Sequence, residues 1–395
     1  MSAQINLPGR AAPVDVPAPA WAAEYPPPLR RSVYAAAHVA AHPDGSIDWD
    51  STLRFREHLW RYGFGVAEAM DTAQRGTVLA FGQARELIRR SSARAADLGT
   101  AIASGAGTDQ LPAGAHSLAA IVDAYAEQVD FVQAAGSQVI VMASRALAAS
   151  ARSADDYLDV YRQVLTVARR PVLLHWLGVA FDPALRGYWG SEDLAAAADT
   201  VVQLIERADG MVAGIKLSVL DARHERALRG RLPSGVRLYT GDDLNYAELI
   251  RGDAAGDGDG DGRGDGDGDG DSDADGGHSD ALLGAFAAIA APAAAALHAL
   301  DHGDLAGYDA AMSPTVPLSR LIFAEPTYDY KVGVAFVAWL NGFQPHFAML
   351  ARQQERRSAE HLIGVFELAA AAGALRDPEL AVVRMSAYLA CAPPA

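Results

Sequence analysis

Short apolar runs rich in β-branched residues alternate along the chain with longer stretches whose apolar positions recur every three or four residues. The short runs, 33–39, 65–69, 100–104, 139–143, 172–177, 212–218, 236–240 and 281–285, have the length and composition of buried parallel strands. Between them, 53–62, 118–135, 157–169 and 194–208 carry helical periodicity with their charges on one side. Strand and helix in regular alternation predict an α/β fold, a (β/α)8 TIM barrel. Eight such units need about 250 residues, which residues 32–300 supply once one insertion is removed. Residues 301–395 read as helices only, a C-terminal helical extension. Residues 1–31 alternate Pro and Ala, lack the basic start and apolar core of a secretory signal, and are expected to form a partly extended arm.

The insertion, 256–277, is near-perfect Gly-Asp alternation with nine aspartates and one arginine, −8 of a formal net charge of −16. It cannot bury apolar surface and is expected to stay disordered outside the barrel. Asp257, Asp259, Asp261 and Gly262 imitate the start of an EF-hand loop, but Gly268 stands where the bidentate glutamate belongs, so loose cation association is the expectation.

Composition narrows the function. A pI near 5.0 leaves no basic field for phosphates or an anionic bilayer, so neither nucleic acid nor a membrane is an expected partner. The longest apolar tract, 281–300, is mostly alanine and contains Pro292 and His298; a packed helix suits it better than a membrane span. A single cysteine, Cys391, excludes an internal disulfide and suits a reducing, cytoplasmic setting.

Of the 33 basic residues, 31 are arginines, and only Lys216 and Lys331 are lysines. Arginine keeps its proton, whereas a desolvated lysine can lose it and attack a carbonyl, so some lysine roles cannot pass to arginine. Lys216 is the only charge in Met211-Val-Ala-Gly-Ile-Lys-Leu-Ser-Val-Leu220. Strand alternation places Val212, Gly214, Lys216 and Ser218 on one face, expected to be the barrel interior, and Ala213, Ile215, Leu217 and Val219 on the other. Among apolar walls the amine should be lowered in pKa, as a nucleophile requires; the alternative is a lysine paired with an interior carboxylate.

Val212-Ala-Gly-Ile-Lys-Leu-Ser218 resembles the Schiff-base lysine strand of the dihydrodipicolinate synthase and N-acetylneuraminate lyase superfamily. Other segments agree in order: Gly45-Ser-Ile-Asp48 with the loop after the first strand, Ala135-Gly-Ser-Gln-Val-Ile-Val141 with the fourth strand, and Arg170-Pro-Val-Leu-Leu-His175 with the fifth. Leu238-Tyr-Thr-Gly-Asp-Asp243 is similar to the seventh strand and its end, and Leu300-Asp-His-Gly-Asp304 to the turn into the C-terminal helices. The resemblance spans about 32–347. It implies a barrel, amine chemistry at Lys216 without a metal or organic cofactor, and assembly as dimers or tetramers. Two signatures are missing: the proton-relay tyrosine beyond the fourth strand, where Ala143-Ser-Arg-Ala-Leu147 stands, and the Gly-Thr-Thr-Gly-Glu carboxylate loop, replaced by Gly65-Val-Ala-Glu-Ala-Met-Asp-Thr72. The chain resembles a divergent branch of unknown function, for which pyruvate is not the implied substrate.

Other mouth residues are expectations from position. His175 alternates with Leu173 and Leu177, faces inward, and is the first candidate acid/base group, a buried structural histidine being the alternative. Glu68 and Asp71 follow the second strand, where they would orient a proton relay or bind substrate hydroxyls; Asp71 would otherwise be a cap. Arg145 follows the fourth strand and would pair with a ligand carboxylate or phosphate, or with a loop. Of Asp242 and Asp243, one would orient the mouth and the other cap the helix from Tyr246; Asp242 and Ser218 are taken as substrate-binding. Gly105-Ala-Gly-Thr-Asp109 has amides that would suit an anion. Lys331 is read as structural.

The expected function is a Schiff-base aldolase or lyase acting on a small keto-acid or sugar-acid-like carbonyl. Two alternatives are a metal-assisted barrel using Glu68, Asp71, His175 and His38, and a ligand-binding barrel that has lost its reaction.

Overall fold

The computed structural model describes residues 2–252 and 277–391. The Gly-Asp insertion lies outside the described residues except for Gly277. A short antiparallel hairpin, β1 (Ala3–Ile5) and β2 (Val14–Val16), precedes eight parallel strands: β3 (Val33–Ala35), β4 (Gly65–Glu68), β5 (Ile102–Ala106), β6 (Gln138–Val141), β7 (Val172–Leu177), β8 (Val212–Ser218), β9 (Arg237–Thr240) and β10 (Asp280–Leu283). Each pairs with its sequence neighbours, and β10 closes on β3, giving a closed (β/α)8 barrel.

The barrel has two hydrophobic layers because each strand is apolar on both faces. Outward residues such as Val66, Val141, Leu174, Ile215 and Leu217 pack on the helices, while a small inner cluster of Ala36, Ala67, Ala103, Ile140, Leu173, Tyr239 and Leu282 fills the interior. The interior is therefore a packed core, and only its C-terminal rim is free for chemistry.

β8 departs from strict alternation. Val172 pairs with Val212 but Leu173 pairs with Gly214, so Ala213 is an extra residue. This bulge puts Val212 in the outer layer and Ala213 against the inner cluster, the reverse of simple counting. Above it the alternation resumes, and Lys216 stands in register with His175, and Ser218 with Leu177.

β3 is shorter than its apolar run. Beyond Ala35 the backbone turns to side chains: Val39 N donates to Gln74 Oε1 at 2.9 Å and Ala40 N to Thr52 Oγ1 at 3.0 Å. Tract 281–300 splits into β10 and the helix Ala290–Asp301, where Pro292 falls in the first turn and removes no helical hydrogen bond. Helix starts after the strands carry side-chain caps: Asp48, Ser117, Ser144, Asp193 and Asp221 each accept a backbone N–H. Each cap contributes about 1 kcal/mol.

After the barrel come the helices Leu305–Met312, Thr315–Ile322, Lys331–Leu340, Ala359–Ala371 and Pro378–Cys391. Every residue of Lys331–Leu340 is buried, so this helix is the core of the extension rather than a surface element. The N-terminal arm lies against the same helices. Arg10 reaches Glu367 at 2.6 Å and Glu360 at 3.1 Å, Trp21 Nε1 donates to the Gly373 carbonyl at 2.9 Å, and the Leu29 and Arg30 amides donate to Asp301.

Candidate active site

Lys216 sits near the C-terminal end of β8 with 6% of its surface exposed. Its amine finds only the weak acceptor Met70 Sδ at 3.8 Å, and among the described residues no carboxylate lies within ion-pair distance. Burial pushes the amine well below the ordinary lysine range, opposed by the charges of Asp243 and Asp71 and assisted by Lys331. Gly241 makes the space: a Cβ there would stand 2.1 Å from Ser218 Oγ and 2.7 Å from Lys216 Cε.

A narrow pocket opens onto this amine, lined by Asp71, Thr72, His175, Ser218, Asp243 and Tyr330, with Leu177, Phe181, Gly284 and Tyr328 among its walls. Asp243 Oδ1 accepts the Ala285 amide at 2.7 Å. Burial pushes the Asp243 carboxyl up from the ordinary aspartate range, with Lys216 pulling the other way. Tyr330 is also buried, and the same two aspartates hold its phenol protonated well beyond the usual tyrosine range.

The second lysine converges on the same place. Lys331 Nζ donates to the carbonyls of Ala36 at 2.7 Å and Ala37 at 3.2 Å, just past β3, and pairs with Asp71 Oδ2 at 3.1 Å. Thus both lysines of the chain act at one barrel mouth, one open to the pocket and one fully engaged. Lys331 and Tyr330 are missing from the expected site because their position over the barrel depends on the packing of the extension. The lysine count was the usable signal.

His175 faces inward as expected, with Nε2 3.4 Å from Ser218 Oγ. Burial, reinforced by Lys216, lowers its pKa well below the ordinary histidine value, so the ring is neutral. The two aspartates ending β9 divide their tasks in the order opposite to the substrate-binding assignment. Asp242 turns away and accepts Leu244 N, Asn245 N and Asn245 Nδ2 at 2.8–3.1 Å, whereas Asp243 faces the pocket.

Glu68 is outside the pocket. Arg56 holds it bidentately at 2.8 and 2.9 Å, and Ser91 Oγ donates to it at 2.6 Å, a closed buried pair. Arg145 belongs to a neighbouring cleft that shares only Thr72 with the pocket; its Nε meets Asp182 at 2.7 Å and its Nη1 the Gly76 carbonyl at 3.0 Å. In the Gly105–Asp109 turn, the Gly107 amide is taken by Gln128. The four metal-ligand candidates do not assemble. Glu68 is bound to Arg56, His38 Nε2 lies 2.7 Å from Gln344 Oε1, and among the described residues no three His, Cys, Asp or Glu side chains are grouped to hold an ion. No helix among the described residues is long and apolar enough to cross a membrane.

A family model described as a protein of unknown function, DUF993, matches residues 9–393. The chain belongs to this family. No curated protein matches it. Solved structures do. A prophage protein of the dihydrodipicolinic acid synthase family from E. coli K12, in complex with pyruvate, is 15% identical with a TM-score of 0.63, covering 87% of this chain and 99% of that one. Dihydrodipicolinate synthase from Thermotoga maritima is 14% identical (TM-score 0.62; 87% and 99%), and that from Aquifex aeolicus 12% identical (TM-score 0.62; 86% and 97%). This DUF993 chain therefore has the fold of these dihydrodipicolinate synthase structures.

Proposed function

We propose that this DUF993 protein is a Schiff-base-forming aldolase or lyase acting on a small carbonyl compound. The observation that carries the reading is Lys216: a buried amine lowered in pKa, without a carboxylate at ion-pair distance, facing a pocket that also holds an acid and a phenol.

The neutral Lys216 amine attacks the carbonyl carbon. The π electrons move to oxygen, which takes up protons and leaves as water, giving a cationic imine. When a carbon–carbon bond beside it breaks, a base takes the proton of the β-hydroxyl. The bonding pair flows to the imine nitrogen, and the second carbonyl product departs. The enamine then takes a proton at carbon, and water releases the first product.

Asp243, whose carboxyl is raised by burial, can hold a proton for the departing water and then stand as the counter-ion of the imine. Tyr330 is the phenol placed to carry the proton between substrate oxygen and solvent. Its proton is too tightly held for it to be an anionic base at rest, so it acts as a donor first. His175 stays neutral beside Ser218 in the pocket rather than serving as an imidazolium acid.

Borohydride trapping with a panel of 2-keto acids, hydroxy-aldehydes, hydroxy-ketones and sugar acids, followed by intact mass and peptide mapping, tests the reading. A reduced adduct on Lys216 is expected. An adduct on no lysine with any member of the panel overturns it.

A further inference from the structure

We propose that the pocket takes an uncharged, hydroxylated carbonyl compound, a short hydroxy-ketone or hydroxy-aldehyde, in preference to a 2-keto acid. This rests on the Schiff-base reading and narrows it.

The first argument is charge balance. Two aspartates, Asp71 and Asp243, line the pocket, and no arginine does. Among the described residues, the cations that act on them are Lys331, paired with Asp71, and Lys216, through its charge. Lys331 has three N–H donors and three acceptors already in place, the Ala36 and Ala37 carbonyls and Asp71 Oδ2, so none is left for a substrate carboxylate. Lys216 is consumed in forming the imine, and the positive charge it keeps there is matched by Asp243. Two lysines thus balance two aspartates before the substrate adds anything. A keto-acid carboxylate would be an unpaired anion beside two others, between Leu177, Phe181 and Tyr330, where a buried charge without a partner is strongly disfavoured. Arg145, the guanidinium of the adjoining cleft, is engaged by Asp182 and the Gly76 carbonyl.

The second argument is an acceptor left open. Asp71 Oδ2 is paired with Lys331, whereas Asp71 Oδ1 is buried without a hydrogen bond of ordinary geometry, the Tyr330 phenol being the protein donor that acts on this carboxylate, and His175 Nδ1 is buried without a partner. Buried polar atoms are ordinarily satisfied. A substrate hydroxyl supplies the missing O–H to Asp71; a carboxylate has none to give. The pocket is therefore already supplied with anions and leaves an aspartate oxygen open to a substrate hydroxyl.

Dihydroxyacetone and hydroxypyruvate make a matched test, since they share three carbons and a central carbonyl and differ only in a hydroxymethyl against a carboxylate. The full chain is incubated with each and cyanoborohydride near neutral pH. The rate of Lys216 labelling is read by intact mass and peptide mapping and divided by that of Nα-acetyl-lysine with the same compound. The expected normalised preference is about tenfold for dihydroxyacetone, and Asp243→Asn should move it toward hydroxypyruvate. A normalised ratio at or below one overturns the substrate class and leaves the Schiff-base reading standing. Lys216 labelled by neither compound overturns the substrate class, and labelling by no member of the wider panel overturns both.

Discussion

Lys331 Nζ and Asp71 Oδ2 stand 3.1 Å apart at the barrel mouth, the lysine brought there by the C-terminal extension and the aspartate by the loop after β4. The same ammonium also binds two carbonyls beyond β3, so one group joins three parts of the fold. Lys331→Met leaves Asp71 without its cation and is expected to cost about 3 kcal/mol in urea unfolding. Lys331→Arg should not restore it, because a planar guanidinium cannot direct donors at these three acceptors. Adding Asp71→Asn to Lys331→Met should recover part of the loss.

Lys216→Met keeps the length of the side chain and removes a buried amine. Thermal melting should show stability equal to or above that of the parent, since desolvation opposes the native charge. Borohydride trapping on this variant should yield no adduct at position 216.

Tyr330→Phe separates proton transfer from imine formation. Labelling of Lys216 should continue at a similar rate, while turnover of the substrate identified by trapping falls by about 10²- to 10⁴-fold, the usual contribution of a positioned acid or base. Equal kcat in the two proteins would remove Tyr330 from the mechanism.

Gly241→Ala tests the space around the amine. The added methyl would fall 2.1 Å from Ser218 Oγ and 2.7 Å from Lys216 Cε, so both side chains must move. The fold should persist by circular dichroism, with the rate of Lys216 labelling reduced by at least about tenfold, because displacement of a reacting group by an ångström costs that much or more.

Glu225 gives a pH prediction away from the site. It accepts Thr240 Oγ1 at 2.9 Å and Ser279 Oγ at 2.7 Å in a buried position between helix and barrel. Burial raises its carboxyl from 4.5 to about 7. The folded chain therefore holds a proton that the unfolded chain releases: the stabilisation is full below pH 4.5 and is lost as pH rises through 7. Glu225→Gln mimics the protonated form. It should gain about 2 kcal/mol over the parent at pH 8 and little at pH 5, measured by urea unfolding at both.

Strands β7 and β8 were legible to the residue because continuous apolar runs bounded by polar turns leave little freedom of assignment. Lys216 and His175 share an interior face for the same reason. The bulge was hidden: Val212 and Ala213 are both small and apolar, so exchanging their faces leaves the pattern unchanged. Asp242 and Asp243 are chemically identical neighbours, and only the turn geometry after β9 decides which one binds the amides of the turn. Glu68 looked like a free mouth carboxylate because Arg56, twelve residues earlier on a helix, carries no local mark of being its partner. Tyr330 was the largest omission, and Lys331, read as structural, gave no sign that it would stand at the mouth. Their distance along the chain from β8 hides a convergence that exists only once the buried helix Lys331–Leu340 has packed.

That late arrival bears on biosynthesis. All eight barrel strands leave the ribosome before Lys331 does, so a nascent barrel can close with Asp71 still lacking its cation. Until the extension docks, the mouth carries an excess of negative charge beside an exposed Lys216. The pocket is thus assembled in its final electrostatic state only near the end of translation, and a chain stalled after β10 would carry Lys216, the proposed nucleophile, without the environment that tunes it.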